Sequence, residues 1–180
     1  SYDGTHVASM RIASNDMARV YAKNLSTGVW SMLGDAIETD VADIALSSDG
    51  QKLLVISTTG LISLFEYDTT DGWVVNRPTI QLDWTYSANA GQQMRCDMNA
   101  NGSFIAVSNP QATYSNFDDN GDPYDFTDSG KLTTYKWTGS EWREIVVQHG
   151  VADNLKTGTC IKIDSFGRTL TFSDQEVHVD

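Results

Sequence analysis

The stretch "DVADIALSSDGQKLLVISTTGLISLFEYDTTDGWVV", residues 40–75, alternates short apolar runs with glycine-containing turns. Its runs LLVIS and LISLFEY are rich in β-branched and aromatic residues, which is typical of strands. Similar runs recur along the chain as FIAVS, KLTTYKW, EIVVQ, TCIKID and TLTFS. Because helical periodicity is almost absent, the sequence predicts an all-β fold.

The Ser-Ser-Asp-Gly turn at 47–50 has three counterparts, YDG at 2–4, NANG at 99–102 and DSFG at 164–167. Asp-Gly and Asn-Gly favour type I′ hairpin turns, so we expect four versions of one hairpin. After each turn comes a strand that ends in serine, at Ser9, Ser57, Ser108 and Ser173. In three copies an aromatic residue and then a tryptophan follow: Tyr21 and Trp30, Phe65 and Trp73, Tyr135 and Trp142.

The turn glycines Gly4, Gly50, Gly102 and Gly167 lie 46, 52 and 65 residues apart. The longest interval contains an acidic insert, and without it the spacing is close to the ~40–50 residues of a four-stranded propeller blade. Self-similarity at this period predicts a propeller or a solenoid, in which each unit buries its face against its neighbours. We divide the chain into repeats near 1–43, 44–90, 91–155 with an insert at 109–129, and 156–180.

The strand before each turn alternates in polarity. Apolar residues stand four and six positions before the turn glycine: Leu46 and Ile44, Met98 and Cys96, Ile163 and Ile161. Positions five and seven are mostly polar: Ala45 and Asp43, Asp97 and Arg95, Lys162 and Cys160. Period-two alternation predicts one core face and one opposite, polar face. Cys96 is therefore expected in the core and Cys160 on the other face, without a disulfide between them.

The segments "ARVYAKNLSTGVWSMLGDAI", "DVADIALSSDGQKLLVIS" and "SGKLTTYKWTGSEWREI" resemble FG-GAP-like β-propeller repeats, in which an aromatic strand, a glycine turn, a tryptophan and a Ser-x-Asp-Gly turn follow in order. The resemblance covers nearly the whole chain, in three copies and a partial fourth. It implies about four four-stranded blades, incomplete at both ends, of a secreted or cell-surface propeller. A larger ring, completed by further blades, and a self-contained four-bladed ring both remain open.

Open blade edges template strand addition, so we expect residues 1–180 alone to be poorly soluble or self-associating. The formal net charge of −12, from 24 acidic and 12 basic side chains, disfavours nucleic acid and anionic membrane surfaces, which require a positive footprint. No apolar run approaches the ~20 residues that span a bilayer, so membrane insertion is not expected.

The insert contains five aspartates within residues 116–128 and no basic residue. Asp118, Asn120 and Asp122 stand at i, i+2 and i+4, so their oxygens can converge on one hard cation such as calcium. The residues DDNGDPYD also resemble the FG-GAP calcium loop. That resemblance implies a backbone ligand from Tyr124, and Asp125 or Asp128 in place of the carboxylate that Phe126 displaces. The alternative is a solvated acidic loop. With calcium bound, Tyr124 and Phe126 would be presented to a partner at a blade edge.

Two N-x-[ST] sequons, Asn24-Leu25-Ser26 and Asn101-Gly102-Ser103, fall at predicted turns where a glycan would be accessible. The aromatic residues of the repeats could stack on sugars, but repeated aromatics at equivalent positions more often pack between blades. Trp84 and Trp137 lie outside the repeated position and are better candidates for exposure.

Catalysis has little support, because His6, His149 and His178 are scattered and no nucleophile elbow or phosphate loop is present. We expect a non-catalytic extracellular or particle-surface scaffold whose partner is a protein, a glycan or the remaining blades of the propeller. A glycan-acting propeller enzyme and an intracellular WD-type adaptor are the alternatives.

Overall fold

The computed structural model describes residues 1–11, 17–83, 94–117 and 120–174. Regular structure in these residues is entirely β, in seventeen strands: β1 (His6–Arg11), β2 (Met17–Lys23), β3 (Trp30–Met32), β4 (Ile37–Glu38), β5 (Asp43–Leu46), β6 (Lys52–Ile56), β7 (Leu61–Asp68), β8 (Gly72–Val75), β9 (Ile80–Gln81), β10 (Arg95–Met98), β11 (Phe104–Asn109), β12 (Tyr114–Phe117), β13 (Pro123–Phe126), β14 (Lys131–Trp137), β15 (Trp142–His149), β16 (Ile161–Ile163) and β17 (Leu170–Phe172). In this part of the chain there is no helix with the length and apolarity to cross a bilayer.

The strands form successive antiparallel sheets that follow the repeat. Blade 1 has the order β1-β2-β3, blade 2 the order β5-β6-β7-β8, and blade 3 the order β10-β11-β14-β15. Short strands β4 and β9 pair with β2 and β7, and blade 4 contributes β16 and β17. Strands β5, β10 and β16 are the innermost strands of their blades, and each contacts the next along the chain.

The repeated turns have one geometry, but it is not the type I′ turn that Asp-Gly and Asn-Gly led us to expect. In the turn at 47–50 the Gly50 N–H donates to the Ser47 carbonyl at 3.0 Å. Gly50 has a φ of 72°, whereas Asp49 is not among the residues with positive φ. A type I turn followed by a left-handed glycine has this pattern, and Asn101 and Gly102 repeat it. The prediction of type I′ turns was wrong because only the glycine needs positive φ here.

The four turns are hydrogen-bonded to one another in series. The Tyr2 N–H donates to the Ser48 carbonyl, the Ser48 N–H to that of Ala100, and the Ala100 N–H to that of Ser165, each at 3.1 Å. The side chain two residues after a turn glycine lies over the turn glycine of the next blade, as His6 lies over Gly50 and Phe104 over Gly167. A Cβ at either glycine would overlap that side chain, so glycine is required for close approach as well as for its φ.

The hydrophobic core is divided among the interfaces between blades. In blade 2, Leu53 and Val55 of β6 pack towards blade 1, and Leu54 and Ile56 of the same strand pack towards blade 3. A third cluster joins blades 3 and 4 through Ala106, Leu132 and Ile161. Both faces of a central strand are therefore buried, which explains its continuous apolar run.

This arrangement corrects the assignment of one core face and one polar face to the innermost strands. Cys96 and Met98 are buried, as expected, but so is Asp97, which points from the opposite face into the interface with blade 4. Cys160 is exposed, and both cysteines are free thiols. Asp97 does not face solvent because blade 4 covers it, whereas the equivalent Lys162 of blade 4 is exposed.

The repeated sheets, the contacts between innermost strands and the chain of turns are the geometry of β-propeller blades. The predicted fold class is confirmed: about four blades are represented. Within the described residues, no innermost strand belongs to blade 1, and two strands belong to blade 4.

Candidate functional site

The acidic insert lies between β11 and β14 and folds as a β-hairpin rather than as an irregular loop. Its strands β12 and β13 pair with Tyr114 opposite Phe126 and Phe117 opposite Pro123. The connection contains Gly121, whose φ is 84°. Alternation places Tyr114, Asn116, Tyr124 and Phe126 on one face and Asp125 on the other.

The hairpin is held against the connection between blades 3 and 4. The N–H groups of Asn154, Lys156 and Thr157 donate to the carbonyls of Thr127, Asp128 and Ser129 at 2.9–3.0 Å. The carboxylate of Asp153 accepts the Thr127 N–H at 2.8 Å. Next to these bonds, a Cβ on Gly150 would lie 2.0 Å from the Ser129 carbonyl oxygen. The base of the hairpin therefore has a fixed position on blade 3.

Of the proposed calcium ligands, Asn120 and Asp122 flank Gly121 at the exposed tip of the hairpin. Tyr124 and Asp125 lie within β13, and Asp128 follows it with a φ of 50°. Asp118 lies outside the described residues. Carboxylate and amide oxygens suit a hard cation. Nevertheless, no three His, Cys, Asp or Glu side chains of the described ranges are grouped as metal ligands, so calcium binding stays a prediction.

The predicted interaction residues Tyr124 and Phe126 contact each other edge to face, with ring centroids 5.1 Å apart. Tyr124 is 38 % exposed, and Phe117, which sequence reasoning did not single out, is 66 % exposed. At the base of the hairpin Tyr114 stacks on His149 at 4.3 Å. Burial and the nearby Lys131 ammonium lower the pKa of His149, so this imidazole is neutral near pH 7.

Both sequons lie at exposed turns. The Asn24 side-chain oxygen accepts the N–H groups of Ser26 and Thr27, and that of Asn101 accepts the Ser103 N–H at 3.0 Å. Glycosylation at Asn24 and Asn101 stays a prediction.

A carboxylate clasp, which the sequence pattern did not reveal, joins successive innermost strands. The carboxylate of Asp43 accepts the Cys96 N–H at 2.9 Å, and that of Asp97 accepts the Ile163 N–H at 2.8 Å. The second oxygen of Asp97 lies 3.4 Å from the Lys162 Nζ. Burial raises the pKa of Asp43, against the lowering effect of the N–H groups that it accepts. The partners are 53 and 66 residues apart, so no local signal could identify them.

The repeated tryptophans of blades 2 and 3 pack between blades, as favoured above. A group from the preceding blade contacts each indole ring. The Trp73 indole N–H donates to the Leu33 carbonyl at 2.7 Å. The Arg77 guanidinium lies over Trp142 and Trp137 at 5.5 and 5.0 Å, and it donates to the Gly102 carbonyl at 2.7 Å. Trp137 is half-buried in this cluster, and Trp84 lies outside the described residues.

Arg77 also joins a charged group on blade 2. Its guanidinium lies 3.2 Å from the Glu66 carboxylate, which Lys52 approaches at 3.4 Å. Burial raises the pKa of Glu66, but the bonds from Asn76, Lys52 and Arg77 outweigh burial and bring it below the ordinary value. Arg77 is therefore a clip between blades 2 and 3 that the sequence pattern did not reveal.

No protein-family model and no curated protein sequence matches the chain. Among solved structures, it is similar to a candidate 6-phosphogluconolactonase from Bacteroides uniformis, with 17 % identity over 98 % of this chain and 63 % of that one and a TM-score of 0.47. It is also similar to the β-propeller domain of Cps50 (Swd1) from Myceliophteria thermophila, with 15 % identity over 97 % of this chain and 60 % of that one and a TM-score of 0.46.

The chain spans about three fifths of the length of these two structures. Its own sheets, its chain of turns and its clasped innermost strands identify it as a set of β-propeller blades.

Proposed function

We propose that this chain is a non-catalytic interaction module of an extracellular or particle-surface propeller, and that hairpin β12–β13 is its recognition element. The observation that supports this most directly is the hairpin itself. Among the described residues it is an addition to blade 3 alone, it is hydrogen-bonded at its base to the connection between blades 3 and 4, and it exposes Phe117 on one face and Tyr124 on the other. Exposed aromatic side chains on a rigid support are typical of binding surfaces for proteins and glycans.

The test is a binding screen on glycan and extracellular-protein arrays with the intact protein. We expect at least one probe to bind, and the double variant Phe117→Ala/Tyr124→Ala to lose that binding at least tenfold. A matched control, Leu25→Ala/Val29→Ala, removes exposed apolar side chains from a turn of blade 1 and should leave binding unchanged. Binding that survives the hairpin variant, or hydrolysis of a bound glycan, would contradict the proposal.

Calcium is the proposed cofactor of the hairpin, with Asn120 and Asp122 as ligands at its tip. Carboxylates held close together repel one another, and a bound cation would neutralise them. Calorimetric titration of calcium should give saturable binding, and Asp122→Ala should weaken it at least tenfold without lowering the melting temperature. Asp35→Ala, on blade 1, is the control variant. An equal response from Asp122→Ala, or no binding heat at millimolar calcium, would remove calcium from the proposal.

Use of the sequons is tested separately by expression in a glycosylating secretory host. The proposed location predicts a mass increase that Asn24→Gln or Asn101→Gln removes. An unmodified secreted chain would leave the hairpin proposal intact and exclude the glycans.

A further inference from the structure

The repeated tryptophans differ in what lies over their rings. In blade 1 the Lys23 ammonium is 5.9 Å from the centre of the Trp30 ring, and between blades 2 and 3 the Arg77 guanidinium is 5.5 Å from that of Trp142. Of the Lys and Arg side chains that the structure describes, none lies over Trp73, the equivalent residue of blade 2. The described part of the chain thus supplies a cation to two of the three repeated tryptophans.

A glycine explains the difference. Gly34 and Arg77 stand at equivalent positions, each four residues after the tryptophan of its own blade and three before a short strand, β4 or β9. Arg77 extends over Trp142 of the next blade. Gly34 has no side chain and lies close to Trp73, where an added Cβ would be 3.1 Å from the indole Cδ1. The interface of blades 1 and 2 therefore has no counterpart of the Arg77 guanidinium.

An open pocket of about 340 Å³ lies beside Trp73 in the same interface. Both blades that form it are described on either side, so its walls do not depend on any further blade. The Trp73 ring has a fixed position, because its indole N–H donates to the Leu33 carbonyl at 2.7 Å. The side chains that define the pocket are two aromatic rings, one aliphatic group and three carboxylates: Phe65 and Trp73, Ile37, and Asp35, Glu38 and Asp71.

The pocket carries negative charge that the chain does not neutralise. Its lining contains no Lys, Arg or His, and in the described ranges no ion pair involves Asp35, Glu38 or Asp71. Carboxylates beside an aromatic wall attract a cation both by charge and through the ring. The three carboxylates are not grouped closely enough to be ligands of one metal ion. The pocket therefore suits an organic cation whose charge and donors are spread over a larger group.

A guanidinium has these properties. It is planar, it stacks on aromatic rings, and its five N–H donors point in several directions, whereas the ammonium of lysine is a compact and strongly hydrated charge. The next interface contains the same combination, because the Arg77 guanidinium lies over Trp142 and 3.2 Å from the Glu66 carboxylate. A volume at the lower end of the ~300–1,000 Å³ of ligand pockets suits one side chain. The net charge of −12 favours the approach of a basic partner.

We propose that this pocket binds an arginine side chain presented by a partner protein. The guanidinium lies against Trp73, and Asp35, Glu38 and Asp71 accept its N–H groups. The partner thus supplies the cation that blade 1, with Gly34 in place of an arginine, does not. This site is independent of hairpin β12–β13 and does not rest on the function proposed for it.

The first test titrates the peptide acetyl-Gly-Arg-Gly-amide into the 180-residue chain at micromolar concentration, with saturation-transfer NMR of the peptide as the readout. We expect saturable binding at millimolar peptide, with the strongest transfer to the arginine side-chain protons. The matched peptide with citrulline, which has the shape of arginine without its charge, should bind at least tenfold more weakly. The lysine peptide should bind severalfold more weakly. Equal binding of the arginine and citrulline peptides, or no saturable binding, would overturn the proposal.

Variants of the carboxylates locate the bound peptide. Asp35→Asn and Asp71→Asn should each weaken binding about threefold, and the double variant at least tenfold, without lowering the melting temperature, since both residues are exposed. Asp40→Asn removes an exposed carboxylate that follows the pocket residues in sequence but does not line the pocket, and it should leave binding unchanged. Equal weakening by Asp40→Asn would show a general attraction to an acidic chain and would contradict a site at Trp73.

A tethered guanidinium provides the second measurement. Asp35→Arg places an arginine at the wall of the pocket, next to Gly34, and should reduce binding of the arginine peptide at least tenfold. Asp40→Arg makes the same change of charge outside the pocket and should reduce binding less than twofold. Peptide binding that Asp35→Arg leaves unchanged, or that both variants reduce equally, would overturn the proposal.

Discussion

Blades 1 and 2 each have a row of side chains at equivalent positions, but only in blade 2 does another blade bury the inner end of the row. In blade 2 the row runs Leu53, Phe65 and Val75 across β6, β7 and β8, and in blade 1 its counterpart runs from Val7 across β2 to Met32. Leu53 is fully buried by blade 1, whereas Val7 is 49 % exposed. The outermost residues, Val75 and Met32, are exposed to similar extents, 43 % and 45 %.

The difference shows that the repeat determines the geometry of the strands, whereas the burial of a side chain depends on whether another blade lies against its face of the sheet. The tryptophans agree: Trp73 is capped by Leu33, but the equivalent Trp30 is 42 % exposed, with the Lys23 ammonium 5.9 Å from its ring. Equivalent residues in the two blades should therefore differ in their contribution to the free energy of unfolding.

The largest expected effect is at the inner end of the row. Leu53→Ala leaves a cavity between two blades and should lower the free energy of unfolding by about 2–5 kcal/mol. Val7→Ala at the open counterpart should cost less than about 1 kcal/mol. Urea unfolding of both variants measures the difference. Similar costs would show that the face of blade 1 is covered in solution, by another molecule or by a rearranged chain.

The second comparison is between the cations that lie over the repeated tryptophans. Arg77→Ala removes a largely buried guanidinium from Trp142 and from the Gly102 carbonyl, and should cost about 1–3 kcal/mol. Arg77→Lys should recover only part of this, because lysine lacks the planar fork. Lys23→Ala at exposed Trp30 should cost less than about 0.5 kcal/mol. Thermal unfolding of the three variants measures these differences in stability. If Arg77→Lys were as stable as the unchanged protein, a positive charge alone would account for the contribution of Arg77.

The smallest expected effect is a pH dependence at the repeated turns. Burial raises the pKa of Asp49, but the Ser47 hydroxyl and the Gln51 N–H outweigh it and hold the pKa below its ordinary value. The ionised carboxylate therefore stabilises the fold above the unfolded pKa of about 3.9, and this stabilisation is lost as the pH falls through the folded pKa.

Asp49→Asn should accordingly lower the free energy of unfolding by about 0.5–1 kcal/mol at pH 7, after allowance for solvent screening, and by progressively less below pH 4. Asp3→Asn is the matched variant in blade 1, where the carboxylate accepts equivalent bonds from Ser1 and Thr5 in an exposed turn. Its effect should have the same sign and be smaller. Urea unfolding from pH 7 to pH 3 provides the measurement, and a difference that grows on acidification would contradict the assignment.

Much of the fold could be predicted because its determinants are local. Asp-Gly located the turn at Gly50, Asn-Gly the turn at Gly102 and the similar Asp-Ser-Phe-Gly the turn at Gly167, and the apolar runs located the strands between them. The turn type was missed because the same dipeptide serves a type I turn with a left-handed glycine. The polar assignment of Asp97 failed because period-two alternation identifies two faces but not what covers each.

The candidate site was less accessible to sequence reasoning. Tyr-Asp-Phe at 124–126 alternates as in a strand, but the density of aspartates around it is equally typical of a solvated loop. The clasps of Asp43 and Asp97 and the contacts of Arg77 join residues brought together only by the stacking of blades. Such contacts depend on tertiary structure, and no spacing along the chain predicts them.

The clasp has an evolutionary consequence. The hydrogen bonds of Asp43 and Asp97 come from a backbone N–H of the next blade, so the receiving residue can be cysteine in one copy and isoleucine in another. Lys162 adds a side-chain ion pair to Asp97 only. Only proline is forbidden at the receiving position, since it has no N–H to donate. A newly duplicated or recombined repeat would thus fit beside an unmodified neighbour at once. Gene lengthening by whole repeats needs no compensating mutation at this contact, whereas the Arg77 clip, which requires a tryptophan partner, must be inherited together with it.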